Sequence, residues 1–263
     1  MASQREQRPS PRQRRGKARR RRQHRIRVLA ACLLLAGMAV GLAALVALLR
    51  PDAPESEAET PAEDQAESTQ TPIHKSYYTA EELGLPTVES PLDADFDGID
   101  DYEDILLGAR AYIATRPYYE SKYYEENDGY PNDGCGVCTD VIWKALEAAG
   151  YDLKSLMDAD IAAHPEAYPE IEFPDPHIDF RRVENQLIFF QRYAESLPLT
   201  FDDPSQWQPG DIVVFEEHIA ICSDRRNAKG VPFILHHGSP QDGAIEADQM
   251  WKYVVVGHFR WNG

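Results

Sequence analysis

Gln208-Pro209-Gly210-Asp211-Ile212-Val213-Val214-Phe215-Glu216-Glu217-His218-Ile219-Ala220-Ile221-Cys222 is the stretch on which the reading of the fold turns. Pro209-Gly210-Asp211 is turn chemistry: a residue with fixed φ, then one free to adopt positive φ. Ile212, Val213, Val214 and Phe215 are β-branched or aromatic and form a strand. Glu216-Glu217 is short enough to close a hairpin, so residues 218–222 return as the partner strand. Residues 233–236 and 254–261 read as further strands of the same antiparallel sheet.

Working outward, a Pro131-Asn132-Asp133-Gly134 turn leads into Cys135-Gly136-Val137-Cys138-Thr139-Asp140. Val141, Ile142, Ala145, Leu146 and Ala149 then recur at helical spacing, and Gly150 supplies a stop. Cys138 therefore falls in the first turn of a buried helix. There the helix dipole and free N–H groups favour a thiolate and can line an oxyanion hole. A second helix is expected over residues 179–196, with Val183, Leu187, Phe190 and Ala194 on one face and Asp179 or a neighbour as its cap. A helix bearing Cys, followed by an antiparallel sheet bearing His, is an α+β layout of the papain-like kind.

Residues 93–104 read Asp-Ala-Asp-Phe-Asp-Gly-Ile-Asp-Asp-Tyr-Glu-Asp, the D-x-D-x-D-G opening of an EF-hand-like calcium loop. Ca²⁺ takes six to eight hard oxygens, and a tight loop converges alternate carboxylates on one ion. Asp93, Asp95 and Asp97 would supply side chains, Ile99 its carbonyl, Asp101 the ninth position and Asp104 the twelfth. Asp104 stands where the usual loop has the longer Glu. Residues 102–114 carry an exiting helix, while no incoming helix is legible before the loop. The competing reading is an acidic turn with a helix cap.

Charge organises the rest. The 263-residue chain has a formal net charge of −17, yet residues 1–27 hold twelve Lys/Arg against Glu6 alone. That split points to two compartments. Between the halves lie 22 uncharged apolar residues, 28–49, long enough for a helix to span about 33 Å of bilayer. The positive-inside rule keeps the Arg-rich arm cytoplasmic and places the C-terminal part outside. No A-x-A triplet closes the apolar run, which favours a retained single-pass anchor over a cleaved signal. Residues 51–72 have seven acids, four prolines and no aromatic residue, a composition of disordered spacers. The expected organisation is a basic arm (1–27), a transmembrane helix (28–49), an acidic linker (50–77), a calcium-type segment (78–104) and a catalytic-type domain (105–263). The acidic body argues against nucleic acid as a partner. The 43% hydrophobic content excludes a wholly disordered chain, and four cysteines exclude a disulfide-dense scaffold.

"PGDIVVF…HIAICSD…ILHHG" resembles the strand signature of the NlpC-type cell-wall peptidases, a papain-like superfamily. With "GVCTDVIWKALEAAGYDL" and "DPHIDFRRVENQ" added, the ordered blocks look like the bacterial family called domain of unknown function 1287, over roughly residues 105–261. The resemblance implies a papain-like fold and assigns Cys138 as nucleophile, His218 as base and His236 as the residue that orients the base. The implied partner is a cell-wall peptide substrate. His236-His237 is doubled, and strand alternation sends the two to opposite faces, so one of them serves and His236 is favoured.

The expected function is thus a membrane-anchored, extracytoplasmic cysteine peptidase or amidase, with structural Ca²⁺ as its one cofactor. Two alternatives stand beside it: a non-catalytic wall or ligand-binding module on the same fold, and a redox or zinc protein using Cys135 and Cys138. Cys222, on an alternating strand, reads as core. His177, Arg181 and Arg182 are candidates for substrate contact.

Overall fold

The structure, a computed structural model, describes residues 76–263. The basic arm, the 28–49 anchor and nearly all of the acidic linker lie outside the described residues. Among the described residues no helix is long and apolar enough to cross a membrane.

Among the described residues, four α-helices contribute to one hydrophobic core against the sheet. Helix α1 (Asp101–Ala114) starts at Asp100, whose carboxylate caps the Tyr102 amide at 3.0 Å. It buries Ile105, Leu106 and Ala109 against α2 (Cys138–Ala148). The two helices touch at Gly108, where an added Cβ would sit 2.6 Å from the Ala148 Cβ. Only a glycine lets these backbones approach so closely. Helix α3 (Leu153–Ala163) is capped by Asp152, which accepts the Ser155 amide at 3.1 Å. Helix α4 (Val183–Tyr193) is shorter than the 179–196 expectation. Residues Asp179–Arg181 form a separate 3-10 turn, and Arg182 in extended geometry breaks the run. The cap assignment also changes: Asp179 accepts the Asp175 amide at 2.6 Å, and α4 opens at Arg182 without a side-chain cap.

Two short strands, β1 (Tyr118–Tyr119) and β2 (Cys135–Gly136), pair in parallel just before α2. The main sheet is built from β3 (Glu195–Ser196), β4 (Ile212–Phe215), β5 (His218–Arg226), β6 (Pro232–His237), β7 (Ala244–Ala247) and β8 (Val255–Arg260). Its spatial order is β3-β8-β4-β5-β6-β7, every pair antiparallel. The β4–β5 hairpin is in the register its two-residue turn requires, with Phe215 opposite His218.

Alternation along these strands makes two cores. Ile212, Val214, Ile219, Ile221, Leu235 and Phe259 meet the helices. Val213, Phe215, Ala220, Cys222 and Ile234 face the other way and pack with Trp207 and Met250. Cys222 is a fully buried member of this second core, as an apolar-sized thiol should be. Beside it, Asp211 gathers the Gln208 amide at 2.7 Å, His258 Nε2 at 3.0 Å and the Arg260 guanidinium at 2.8 and 2.9 Å.

Candidate functional site

Cys138 opens α2 and is 5% exposed. Burial pushes its thiol up to about 11. The amides of Ile219, Thr139 and Cys138 itself oppose that push, and the Asp140 charge adds to it. The helix start thus supplies amide donors near the sulfur, but desolvation outweighs them. The sequence expectation of a thiolate favoured by the helix dipole is corrected: in this resting geometry the group is a neutral thiol.

Asp140 explains why the helix begins where it does. Its carboxylate accepts the Val137 amide at 2.8 Å and the Trp143 indole at 2.8 Å. It also receives Arg181 Nε at 2.7 Å and Nη2 at 2.8 Å, in a pair that is almost wholly buried. Arg181 donates further to the Lys122 carbonyl, and its own carbonyl accepts the Thr139 hydroxyl at 2.9 Å. Arg181, a candidate for substrate contact in the sequence, is instead the clamp on the start of the Cys138 helix. His177 is half-buried beside Asp175, and Arg182 is exposed beside Asp179.

His218 and His236 meet across the β5–β6 pair. His218 Nε2 lies 2.8 Å from His236 Nδ1. Tyr253 stacks on the His218 ring at 4.8 Å, and Phe215 lies on it at 5.9 Å. Burial pushes His218 down to about 3, aided by repulsion from His236 and His237. Burial likewise pushes His236 down to about 4. Both imidazoles are therefore neutral near pH 7. His218 Nδ1 has no protein partner among the described residues. His237 points to the helix side, where its Nδ1 is 3.0 Å from the Tyr112 hydroxyl. The alternation that separates His236 from His237 is the one read from the sequence.

Cys138 approaches this pair from the helix side. The Ile219 amide beside its sulfur belongs to the residue after His218. Tyr253, stacked on His218, is also within electrostatic reach of Cys138. No hydrogen bond joins Cys138 to either histidine in this conformation.

Sequence reasoning passed over Gln249. His236 Nε2 and Gln249 Oε1 are both sealed from solvent without a formed hydrogen bond. Gln249 is nevertheless close enough to raise the proton affinity of His236. If His218 keeps Nδ1 free to accept a proton, its Nε2–H must donate to His236 Nδ1. His236 then carries its hydrogen on Nε2, facing the Gln249 oxygen. The two orphaned atoms are complementary in that tautomer and in no other.

Cys135 and Cys138 are both free thiols. Cys135 Sγ accepts from Lys122 Nζ at 3.2 Å and lies 3.5 Å from Glu120 Oε2.

In the acidic loop, one oxygen from each of Asp93, Asp95 and Asp97 lies within 4.8 Å of the others. Asp93 accepts the amides of Asp97 and Gly98, and Asp97 that of Ile99, so backbone donors hold the carboxylates inward. Asp101 does not join them as expected. Its oxygens accept the Ala94 amide at 2.8 Å and the Tyr151 hydroxyl at 2.5 Å, and it is fully buried. Asp104 is 5% exposed, and its Oδ2 is sealed without a partner. Burial, then the charges of Asp97, Asp95, Asp101 and Asp93, raise it to about 6.

A relative in Escherichia coli (strain K12), the Uncharacterized protein YijF, is 34% identical over 169 residues, covering 60% of this chain and 80% of that protein. No solved structure matches the chain. Residues 106–261, more than half of the chain and inclusive of Cys138, His218 and His236, match the family described as Domain of unknown function (DUF1287). The chain belongs to that family.

Proposed function

We propose that this protein is a papain-like cysteine hydrolase that cleaves amide bonds of cell-wall peptides, held outside the membrane by the apolar segment 28–49. The observation that carries the reading is the His218–His236 pair. A buried imidazole is oriented through Nε2 and keeps Nδ1 unused, next to a helix that begins with Cys138. Nδ1 has no protein partner among the described residues and is not sealed from solvent, so it stays open to accept a proton.

Because the thiol and both imidazoles are neutral at rest, the chemistry runs by general base catalysis rather than from a preformed ion pair. His218 Nδ1 takes the Cys138 proton as sulfur attacks the amide carbonyl. The imidazolium then protonates the leaving amine, and water releases the acyl-enzyme. The amides near the sulfur stabilise the tetrahedral oxyanion. His236 and Gln249 hold the His218 tautomer. Catalytic hydrogen bonds in free enzymes are often long and tighten when substrate binds, and substrate must displace the cover over Cys138.

One observation favours a second reading, a non-catalytic binding module: Cys138 is as buried and as weakly acidic as an inert core thiol. The redox and zinc alternatives have less support. Among the described residues the carboxylates of Asp93, Asp95 and Asp97 are the one group of three or more metal-type ligands that converges.

The deciding experiment incubates the reduced full chain with purified muropeptides and compares wild type, Cys138→Ala and His218→Ala. Cleavage by wild type alone supports the hydrolase. Alkylation by iodoacetamide should accelerate steadily from pH 7 to 10, following a thiol of raised pKa. Absence of cleavage together with an intact, foldable His218→Ala variant that behaves like wild type would favour the binding module.

A further inference from the structure

We propose that residues 93–104 form a calcium site, with side-chain oxygens from Asp93, Asp95, Asp97 and Asp104 and a backbone oxygen from Ile99. An acidic turn alone would not carry this. Three exposed or half-exposed carboxylates can sit together in water, each held by a backbone amide. Asp104 is different. It comes from the first turn of α1, is more than nine-tenths buried, and its Oδ2 has neither solvent nor a donor. The charges that act on it most are Asp97 and Asp95. A buried carboxylate with an unpartnered oxygen, in the helix turn that follows three converging carboxylates, is the arrangement a bound cation completes.

The backbone is shaped for convergence. Phe96 and Gly98 both have positive φ, 62° and 95°, which turns the chain sharply between the alternate carboxylates. Four carboxylates and a carbonyl in an open loop suit Ca²⁺, which accepts irregular shells of six to eight oxygens. Mg²⁺ demands a tighter octahedron and keeps its own water. Asp101 is left out of the donor set because it is wholly buried and engaged with Ala94 and Tyr151 rather than converging with Asp93, Asp95 and Asp97.

These same contacts fix what the ion would do. The loop rests on the far end of the Cys138 helix: an added Cβ at Gly150 would lie 3.0 Å from the Asp95 Cβ. The Tyr151 hydroxyl reaches Asp101 at 2.5 Å. Asp101 and Asp104 both belong to α1, which packs along α2. A cation in the loop therefore fastens the start of α1 to the end of α2. Its role is structural and independent of whether the Cys–His site turns over substrate.

Calcium chloride titrated into the EDTA-treated full chain, by calorimetry and by thermal melting, tests the site. A saturable heat is expected, with Kd in the range of about 10⁻⁵ to 10⁻³ M. The melting temperature should rise by about 2–6 °C at saturating Ca²⁺, and by less in equimolar Mg²⁺. Asp95→Asn keeps the oxygen that accepts the Asp97 amide, so the loop folds, but it should weaken binding at least tenfold. Asp104→Asn should raise the melting temperature of the calcium-free protein, because it relieves crowded charge, and should abolish the calcium response. A purely structural Asp104 would instead lower it. No saturable heat, an equal response to Mg²⁺, or a calcium response surviving both substitutions overturns the proposal. None of these readouts depends on hydrolysis, so failure of the catalytic reading leaves the result interpretable.

Discussion

His258 and His218 lie on the two strands that flank β4, and both are buried, yet their surroundings differ. His258 has a partner on each nitrogen: Nδ1 on the Pro198 carbonyl at 2.9 Å and Nε2 on Asp211 at 3.0 Å. Trp207 stacks on its ring at 3.7 Å. His218 has one partner, another neutral imidazole, and its second nitrogen is unused. The first is fully committed to holding loops onto the sheet. The second leaves one nitrogen without a protein partner among the described residues and open to accept a proton, and under the proposed function that asymmetry separates the structural histidine from the base.

The largest effect expected is on turnover. Removing Cys138 or His218 as alanine should reduce muropeptide hydrolysis by about 10³-fold or more, with melting little changed. His258→Ala should do the reverse, costing about 2–4 kcal/mol of stability by removing one donor from buried Asp211 and opening a void beneath Trp207. If denaturant titration showed His218→Ala to be as destabilised as His258→Ala, the contrast would collapse.

Next in size is Arg181→Met. It leaves Asp140 buried without its counter-ion and should cost about 3–5 kcal/mol in denaturant unfolding. Activity should fall only as far as the Cys138 helix loses its fixed start.

The histidine pair also predicts an acid limb. Its folded pKa values, about 3 and about 4, lie below the unfolded value of about 6.5. Between these limits the unfolded chain binds more protons, so stability is full above about pH 6.5 and falls as pH drops toward 4. Each buried imidazole contributes a slope of up to about 1.4 kcal/mol per pH unit. His236→Asn should flatten part of that limb in melts taken from pH 7 to pH 4. An unchanged limb would show that the pair is not buried in solution.

The smallest effect sharpens the relay. Gln249→Leu should lower kcat about tenfold with little change in KM or melting, since it leaves His236 Nε2–H without an acceptor. Gln249→Glu, which restores an acceptor, should recover most of the rate. Equal rates for all three would remove Gln249 from the site.

Much of the scaffold was legible because its signals are local. The strand Ile212–Phe215 and the start of β5 follow from side-chain type and a two-residue turn. The helices around Leu106 and Val141 follow from 3.6-residue spacing. Helix α3 was missed although Leu153, Met157 and Ile161 repeat every fourth residue behind an Asp152 cap, a signal hidden among polar neighbours. The edge strand β7 has four half-buried residues and no alternation to read. At the site, Cys138 and the histidine pair were visible in motif and order. The Arg181–Asp140 clamp was not, because its partners lie 41 residues apart and only the folded chain brings them together. Gln249 carried no signal at all: its meaning comes from one unmatched atom on a neighbouring strand.

The Pro209-Gly210-Asp211 turn has a wider consequence. Gly210 lies at φ 84°, where an added Cβ would strike the Tyr102 carbonyl, and Asp211 ties three segments of chain together. Neither residue touches Cys138 or His218. A motif search that leans on this turn therefore detects architecture, not reactivity. A sequence that retains it but lacks a thiol at this position would still assemble the sheet, so the turn on its own reports the scaffold and says nothing about chemistry.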